Sequence, residues 1–437
     1  MLSIVIDKTK ISGRMKPMNA VNNGPIMPAR MFSKSGNFDD YKAACIPFAR
    51  NHDASFCANY GGERTVDINA IFPNFDADPY DPASYDFACT DHYTKNIMDA
   101  GTQVFYRLGN KIDHRIKKYD SVPPSDFNKW AVICEHIIAH YNEGWADGFH
   151  YNITYWEIWN EPDNSPECWA GSYEDFLKLF EITAKHLKSK FPSVKVGGPA
   201  FATGGIDNRK DDFLRYMKEH DVPIDFFSWH TYRSEVSEYT KRMMAVRESL
   251  DKAGYTETES ILNEWAYVIN WHDRLRESKL AIIGMKGAAF VASVMIAGQN
   301  FPLDMLMYYD ARPSSLNCLF DFYTYDKLKG YYPFYMFSEL TKLGKQIEAK
   351  SSENDIYVTA ASDGCNSAAM LSYFTNDENA KDKEIEITLK GNDCGWKIIL
   401  LDETHNAEYI GDLLVQDDKA KIKMSPNTVI LLESFQM

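Results

Sequence analysis

The feature that most constrains the fold of this chain is an alternation of short apolar segments with longer amphipathic ones, between about residues 15 and 345. The short segments are bounded by Gly, Pro, Asn or Asp and are mostly apolar on both faces, which is typical of parallel strands buried on each side. We predict strands near residues 17–21 and at residues 44–50, 103–108, 154–160, 194–198, 225–230, 260–264 and 304–309. Eight strand–helix rounds over about 330 residues predict a (β/α)₈ barrel, also called a TIM barrel.

Helical patterns fill the intervals between these strands. One begins at Ser172, which is followed three residues later by Asp175, and it ends before Pro192. Another, at residues 86–100, is stopped by Gly101, in the left-handed position that follows many helices. We predict further helices at residues 125–142, 211–220, 235–253, 274–297 and 334–343. A doubly wound open sheet is the alternative, but no G-x-G-x-x-G or P-loop sequence supports its nucleotide-binding form.

The pattern changes after about residue 346. Apolar and polar residues there alternate with a period of two between turns of Asn, Asp and Gly, which predicts an antiparallel β-sandwich. Leu2, Ile4 and Ile6 alternate in the same way and precede the first barrel strand, so we expect this segment to pair into the sandwich. The predicted domains are a barrel at residues 12–345 and a β-sandwich at residues 346–437 plus 1–10.

Charge and composition exclude several classes of partner. Lys and Arg number 47 against 62 Asp and Glu, and the net charge of −15 leaves no basic patch for nucleic acid. The longest apolar run, at residues 287–298, is too short to cross a bilayer. The N-terminus lacks the basic start of an export signal, and the eight cysteines form no C-x-x-C pair. We therefore expect a cytoplasmic protein, or an exported one whose signal has been removed, and leave the oligomeric state open.

The segment Tyr155-Trp-Glu-Ile-Trp-Asn-Glu-Pro is the most informative motif. It is an apolar strand, fourth in the barrel count, that ends in Asn160 and Glu161, and the carboxyl ends of barrel strands are where reacting groups lie. If Trp156 and Trp159 enclose Glu161, burial raises its pKa and it can donate a proton near neutral pH. The alternative is a simple strand exit or a helix cap.

A second carboxylate, Glu264, ends the seventh strand in the segment Glu259-Ser-Ile-Leu-Asn-Glu-Trp. Strands four and seven lie across the mouth of a barrel from each other. Two facing carboxyl groups suit the hydrolysis of a glycosidic bond, because one protonates the leaving oxygen while the other attacks or stabilises the anomeric carbon. A lone buried Glu would more often be an ion-pair partner, but two such residues favour catalysis.

Around both acids the sequence resembles the clan A retaining glycoside hydrolases, and most closely glycoside hydrolase family 39, which includes β-xylosidases and α-L-iduronidases. The resemblance implies that Glu161 is the general acid/base and Glu264 the nucleophile, and that Asn160 binds the 2-hydroxyl of the sugar. It further implies that Arg50, at the end of strand two, pairs with the nucleophile and keeps its pKa low. His52 and Asp53 would bind hydroxyl groups, the alternative being a loop turn with a capping Asp.

The remaining predicted site residues end strands six to eight. By the same resemblance His230 lies near the acid/base and Tyr232 donates to Glu264; a satisfied core histidine is the alternative for His230. Trp265 is predicted to contact the sugar. Of Tyr308 and Tyr309, one is expected to line the pocket, and strand phase decides which.

These observations predict a retaining, exo-acting glycoside hydrolase that acts on a neutral glycan or oligosaccharide without a metal or other cofactor. Three alternatives stay open: an endo-acting glycanase of the same clan, a non-catalytic sugar-binding protein and a metal-dependent barrel hydrolase. Two features depart from the xylosidase-type pattern, namely Arg107 where some members carry an acid, and a long loop at residues 67–84. We therefore infer no specificity for xylose.

Overall fold

The computed structural model describes residues 2–26, 36–54, 64–204, 208–314 and 316–436. Its first strand, β1 (Ser3–Arg14), lies outside the barrel. The next eight strands form a closed barrel of parallel strands in chain order, which confirms the predicted TIM barrel. These strands are β2 (Ala20–Asn22), β3 (Phe48–Arg50), β4 (Gln103–Leu108), β5 (Tyr155–Ile158), β6 (Lys195–Phe201), β7 (Phe226–Arg233), β8 (Glu259–Tyr267) and β9 (Met305–Tyr308).

Helices cover the outside of the barrel. They are α1 (Phe38–Ala43), α2 (Ile68–Ile71), α3 (Ala88–Asp99), α4 (Phe127–Asn142), α5 (Tyr173–Lys190), α6 (Arg209–Glu219), α7 (Val236–Lys252), α8 (Leu275–Ile282), α9 (Met285–Asn300) and α10 (Tyr331–Leu343), with a short 3₁₀ helix at Pro82–Ser84. The single helix predicted at residues 274–297 is wrong, because the chain bends by 81° between α8 and α9. Gly287 permits this bend, since a Cβ there would lie 2.5 Å from the carbonyl oxygen of Ile282.

The C-terminal strands and β1 form one continuous sheet of nine strands, in the order β15-β14-β17-β12-β11-β10-β1-β13-β16. Its further strands are β10 (Lys345–Ser351), β11 (Ile356–Ser362), β12 (Ser367–Tyr373), β13 (Lys383–Lys390), β14 (Gly395–Leu401), β15 (Asn406–Asp412), β16 (Lys419–Met424) and β17 (Thr428–Phe435). As predicted, β1 pairs into this sheet, antiparallel to β10 and parallel to β13. It continues to Arg14, four residues past the boundary predicted at residue 10.

The two faces of the sheet bury different clusters. On β12, Ala369 and Leu371 belong to a core within the sheet domain, whereas Ala368 and Met370 join the core of the barrel's helical layer. That second face packs on α9, which is buried along most of its length, and on α10. Among the described helices no single one is long and apolar enough to cross a membrane, and α8 with α9 meets that criterion only as a bent pair.

Candidate active site

Arg50, at the carboxyl end of β3, organises the polar groups at the mouth of the barrel. Its guanidinium is fully buried and donates Nε to Glu157 Oε2 at 2.6 Å, Nη1 to Glu264 Oε1 at 2.7 Å and Nη2 to Asn160 Oδ1 at 2.6 Å. Burial lowers the pKa of Arg50, but the carboxylates of Glu157 and Glu264 raise it more, so the group stays charged. One fixed cation therefore holds three side chains in place.

Glu264 lies near the end of β8 and is 5% exposed. Its Oε2 accepts a hydrogen bond of 2.7 Å from the Tyr232 hydroxyl, and His230 Nδ1 lies 3.5 Å from the same oxygen. Burial raises the pKa of Glu264, and the charge of Arg50 opposes that rise. Arg50 therefore pairs with Glu264 and lowers its pKa as expected, but burial raises this pKa more, so the net direction is upward.

Glu161 follows β5 with a left-handed backbone (φ 47°), and its side chain is 15% exposed. His230 Nδ1 lies 2.7 Å from Oε1, and Oε2 accepts from Asn164 Nδ2 at 3.1 Å, with Cys168 Sγ at 3.8 Å. Burial raises the pKa of Glu161 and lowers that of His230. In this pair of acids Arg50 favours the charge on Glu264, so the retained proton belongs on Glu161.

The burial of Glu161 does not come from the two tryptophans predicted to enclose it. Trp156 stacks on Tyr106 in the helical layer, with ring centroids 4.8 Å apart. Trp159 packs between Trp130 and Trp169, at 5.9 and 5.0 Å. The pKa of Glu161 is therefore raised for a different reason, namely its burial beside His230, Asn164 and Cys168.

The two acids meet although they lie on distant segments. One carboxylate oxygen of Glu161, one of Glu264 and a ring nitrogen of His230 all lie within 4.8 Å of one another. A spacing of roughly 5 Å suits direct attack by one carboxylate, whereas roughly 6.5–9.5 Å is needed to admit a water between them. A metal ion could also bridge these atoms by distance, but the Arg50 guanidinium lies 2.7 Å from Glu264, and its positive charge opposes the binding of a cation there.

His52, Asp53 and Tyr309 form a second side of the site. Tyr309 donates from its hydroxyl to Asp53 Oδ2 at 2.9 Å, and its ring lies 6.5 Å from that of His52 and from that of Tyr232. Asp53, Tyr232 and Tyr309 are partly exposed, so this side opens to solvent. Of the two tyrosines after Met307, Tyr309 is therefore the one at the site.

Two predicted contacts are wrong. Trp265 is fully buried against Tyr239, Phe290 and Tyr308, and Tyr308 packs on Phe334 in the helical layer. Neither side chain faces the site. Trp265 directly follows Glu264, and Tyr308 directly precedes Tyr309. Successive side chains of extended backbone point to opposite faces, so each of the two lies on the face away from the site.

A supporting layer of polar residues inside the barrel was not predicted from the sequence. Glu157 is fully buried and accepts hydrogen bonds from Ser228 Oγ at 2.6 Å and Asn263 Nδ2 at 2.5 Å, and Asn22 Oδ1 accepts from Arg50 Nη1 at 3.1 Å. A charged residue inside an apolar strand was the available signal for Glu157, because buried carboxylates need partners. Trp271, 44% exposed with its ring 5.0 Å from that of Tyr232, was also missed.

The chain is similar in sequence and in structure to several known proteins. Residues 67–408 match the family described as Glycosyl hydrolases family 39. A beta-xylosidase of Geobacillus stearothermophilus is 36% identical over 143 residues, and this match covers 32% of the chain but only 26% of that protein. The structure is similar to a glucosidase from Croceicoccus marinus (TM-score 0.82, 19% identity, covering 100% of this chain and 99% of that one). It is also similar to a monomeric beta-xylosidase from Caulobacter crescentus CB15 (TM-score 0.74, 14% identity, full coverage of both chains at 100%).

Proposed function

The chain belongs to glycosyl hydrolase family 39, and we propose that it is a retaining glycoside hydrolase that cleaves a neutral glycan or oligosaccharide by double displacement. The observation that carries this proposal is the meeting of Glu161 and Glu264, with carboxylate oxygens within 4.8 Å and with different partners. Glu264 receives donors from Arg50 and Tyr232 that stabilise its anion. Glu161 faces weaker, neutral donors and keeps its proton.

In the first step the Glu264 carboxylate attacks the anomeric carbon while Glu161 gives its proton to the glycosidic oxygen. The bond between the anomeric carbon and that oxygen breaks, and a glycosyl ester forms on Glu264. Arg50 and Tyr232 orient the attacking group. Since Asn160 Oδ1 accepts from Arg50, its amide nitrogen is oriented for donation to a sugar hydroxyl.

In the second step Glu161, now ionised, removes a proton from water, and the oxygen of that water attacks the anomeric carbon. The ester bond to Glu264 breaks and the carboxylate is regenerated. Two inversions at one carbon give net retention of configuration. The mechanism consumes no cofactor, because both the proton and the leaving carboxylate come from the chain itself.

The charges around the site support a neutral sugar. The arginines near the site are already paired, Arg50 with Glu157 and Glu264, Arg107 with Asp67 and Arg312 with Asp310, and the formal charge of the whole chain is −15. These arginines therefore have no charge left over to bind a carboxylated sugar. Exo action is supported by the names of the similar proteins, a beta-xylosidase and a glucosidase, while endo action is the second outcome of the test below.

A panel of nitrophenyl glycosides, including xylosides and glucosides, tests the proposal on the wild type and on Glu161→Gln and Glu264→Ala. We expect hydrolysis of at least one substrate and a loss of at least about 10³-fold in kcat for Glu264→Ala. Added azide should restore turnover of Glu264→Ala and give a glycosyl azide of inverted configuration. The control is Glu259→Gln, on the same strand but paired with Lys195 at the opposite end, which should keep most activity.

If the protein hydrolyses none of these glycosides but binds a sugar tightly, the result would favour a non-catalytic sugar-binding protein. Early products from an oligosaccharide that include no monosaccharide would favour endo action. The metal-dependent alternative is tested by dialysis against a chelator. We expect unchanged kcat, because the positive charge of Arg50 beside Glu264 opposes the binding of a cation there. Loss of activity that Zn²⁺ restores would contradict the assignment.

A further inference from the structure

A buried polar chain lies behind His52 and belongs to no contact used so far. It joins His52 on the β3 loop to Arg107 on β4 and to Asp67 before α2. Arg107 is fully buried and donates Nε to His52 Nδ1 at 3.2 Å and Nη2 to Asp67 Oδ1 at 2.7 Å. Arg107 is one of the two departures from the xylosidase-type pattern noted in the sequence.

The direction of these bonds determines the tautomer of His52. A guanidinium carries only N–H donors, so His52 Nδ1 must accept and the ring proton must sit on Nε2. His52 is 3% exposed, and its burial, with the charges of Arg50 and Arg107, lowers its pKa well below the usual value. The ring therefore stays neutral with one defined donor.

Two carboxylate oxygens lie near that donor. His52 Nε2 is 3.5 Å from Asp53 Oδ1 and 3.5 Å from Glu264 Oε1, which is too far for a good direct hydrogen bond. Asp53 Oδ1 is buried and has no hydrogen-bond partner among the described residues, while Asp53 Oδ2 is held by Tyr309. A hydroxyl group bound here can accept from His52 and donate to Asp53, and so satisfies both groups.

We propose that Asp67 and Arg107 are positioning residues that hold the His52 proton on Nε2, so that His52 and Asp53 present one donor and one acceptor to a single hydroxyl of the bound sugar. The tautomer follows from the hydrogen bonds alone, and its use on a sugar rests on the proposed function. The charged or titratable groups around His52 are Arg50, Asp53, Arg107, His230, Glu264 and Arg312.

The tautomer is tested directly by ¹⁵N NMR of histidine-labelled protein, with His52 assigned by its loss in His52→Gln. We expect Nε2 protonated and Nδ1 unprotonated in the wild type throughout pH 5–8. In Arg107→Met the proton should move to Nδ1 in part, or the ring should titrate in this range. Arg107→Lys, which can still donate, should restore the wild-type pattern, and Arg215→Met, an exposed arginine paired with Asp212, should not change it.

A second measurement compares kcat/KM for a good substrate and for its deoxy analogues. We expect the wild type to reject one of them by at least about 10-fold, because the buried pair is then left unpaired, and Arg107→Met to lose that discrimination. If Arg107→Met does not fold because it strands the charge of Asp67, the double variant with Asp67→Asn removes both charges.

A wild-type His52 protonated on Nδ1, or an unchanged His52 signal in folded Arg107→Met, would overturn the proposal. So would a discrimination against deoxy analogues that survives in Arg107→Met. The NMR result does not depend on turnover, so it stands or falls separately from the glycosidase assignment.

Discussion

Two buried carboxyl groups with different neighbours share the work at the centre of this site. Burial raises the pKa of both Glu161 and Glu264. Of these two acids only Glu264 is contacted by Arg50 and by the Tyr232 hydroxyl, whereas Glu161 faces neutral groups, so the anion and the proton are divided between them. In the proposed mechanism, environment rather than residue type separates the nucleophile, Glu264, from the acid, Glu161.

This division predicts a bell-shaped dependence of kcat/KM on pH. Activity needs Glu264 ionised, so it falls as the pH drops through the raised pKa of Glu264, above the ordinary value of 4.5. It also needs Glu161 protonated, so it falls again as the pH rises through the pKa of Glu161. With an activated dinitrophenyl substrate, Glu161→Gln should lose the alkaline limb and keep the acid limb.

A profile of Glu161→Gln that retains its alkaline limb would show that another group is the acid.

Tyr232→Phe is a matched variant, because it changes a donor to Glu264 and leaves Glu161 in place. We expect the pKa of the acid limb to rise in Tyr232→Phe, because the anion of Glu264 loses a hydrogen bond of 2.7 Å.

Several individual residues of the site could not be placed correctly from the sequence. The strand ends predicted which segments contribute to the site, since the carboxyl ends of barrel strands share one face. Trp265 and Tyr308 were misplaced because a shift of one residue along a strand changes the face. Glu157 was missed because its partners Ser228 and Asn263 come from other strands, and no local pattern reports such a contact.

At the scale of elements, apolar content decided what the sequence could predict. The barrel strands were found because they are buried on both faces, with errors of a few residues at their ends. In contrast, β10 and β15 are rich in polar and partly exposed residues, so no apolar run in the sequence indicates either strand. The break between α8 and α9 depends on the close approach of Gly287 to Ile282, which periodicity does not show.

Strand β1 carries a prediction at this level, because it lies between β10 and β13 and is not an edge strand of the sheet. Ile6 is fully buried, whereas Ile11 on the same strand is 64% exposed. We expect Ile6→Ala to lower the free energy of unfolding by about 2–5 kcal/mol, because it leaves a cavity. Ile11→Ala should change it by less than about 0.5 kcal/mol. Denaturant titration measures both, and equal effects would contradict the placement of β1 between β10 and β13.

At the scale of the whole molecule, the sheet and the barrel share a core. Ser372 on β12 donates to the Ala289 carbonyl oxygen at 2.9 Å and contacts Ser293 on α9, so small residues bring sheet and helix close together. Asn376 after β12 accepts from the Tyr267 hydroxyl at 2.8 Å and donates to the Ser234 carbonyl oxygen, which ties the sheet to the loops around the site.

This shared core predicts one cooperative unfolding transition in calorimetry. Ser372→Leu should lower the stability of sheet and barrel together, by about 1–3 kcal/mol, because it overpacks the interface. Glu384→Leu, at an exposed position of the same sheet, is the control. Two separate transitions, with activity outlasting the first, would show that the sheet unfolds independently.

In the proposed mechanism, Glu161 and Glu264 come from segments far apart in the chain and act on one glycosidic bond. Glu264 attacks the anomeric carbon, and Glu161 protonates the leaving oxygen. The most direct measurement is to inactivate the enzyme with the 2-deoxy-2-fluoro derivative of its preferred aryl glycoside and to map the labelled peptide by mass spectrometry. We expect one sugar per chain, bound to Glu264, and no labelling of Glu264→Ala. A sugar ester on a different carboxylate, or hydrolysis with inversion and no trapped ester, would contradict the account.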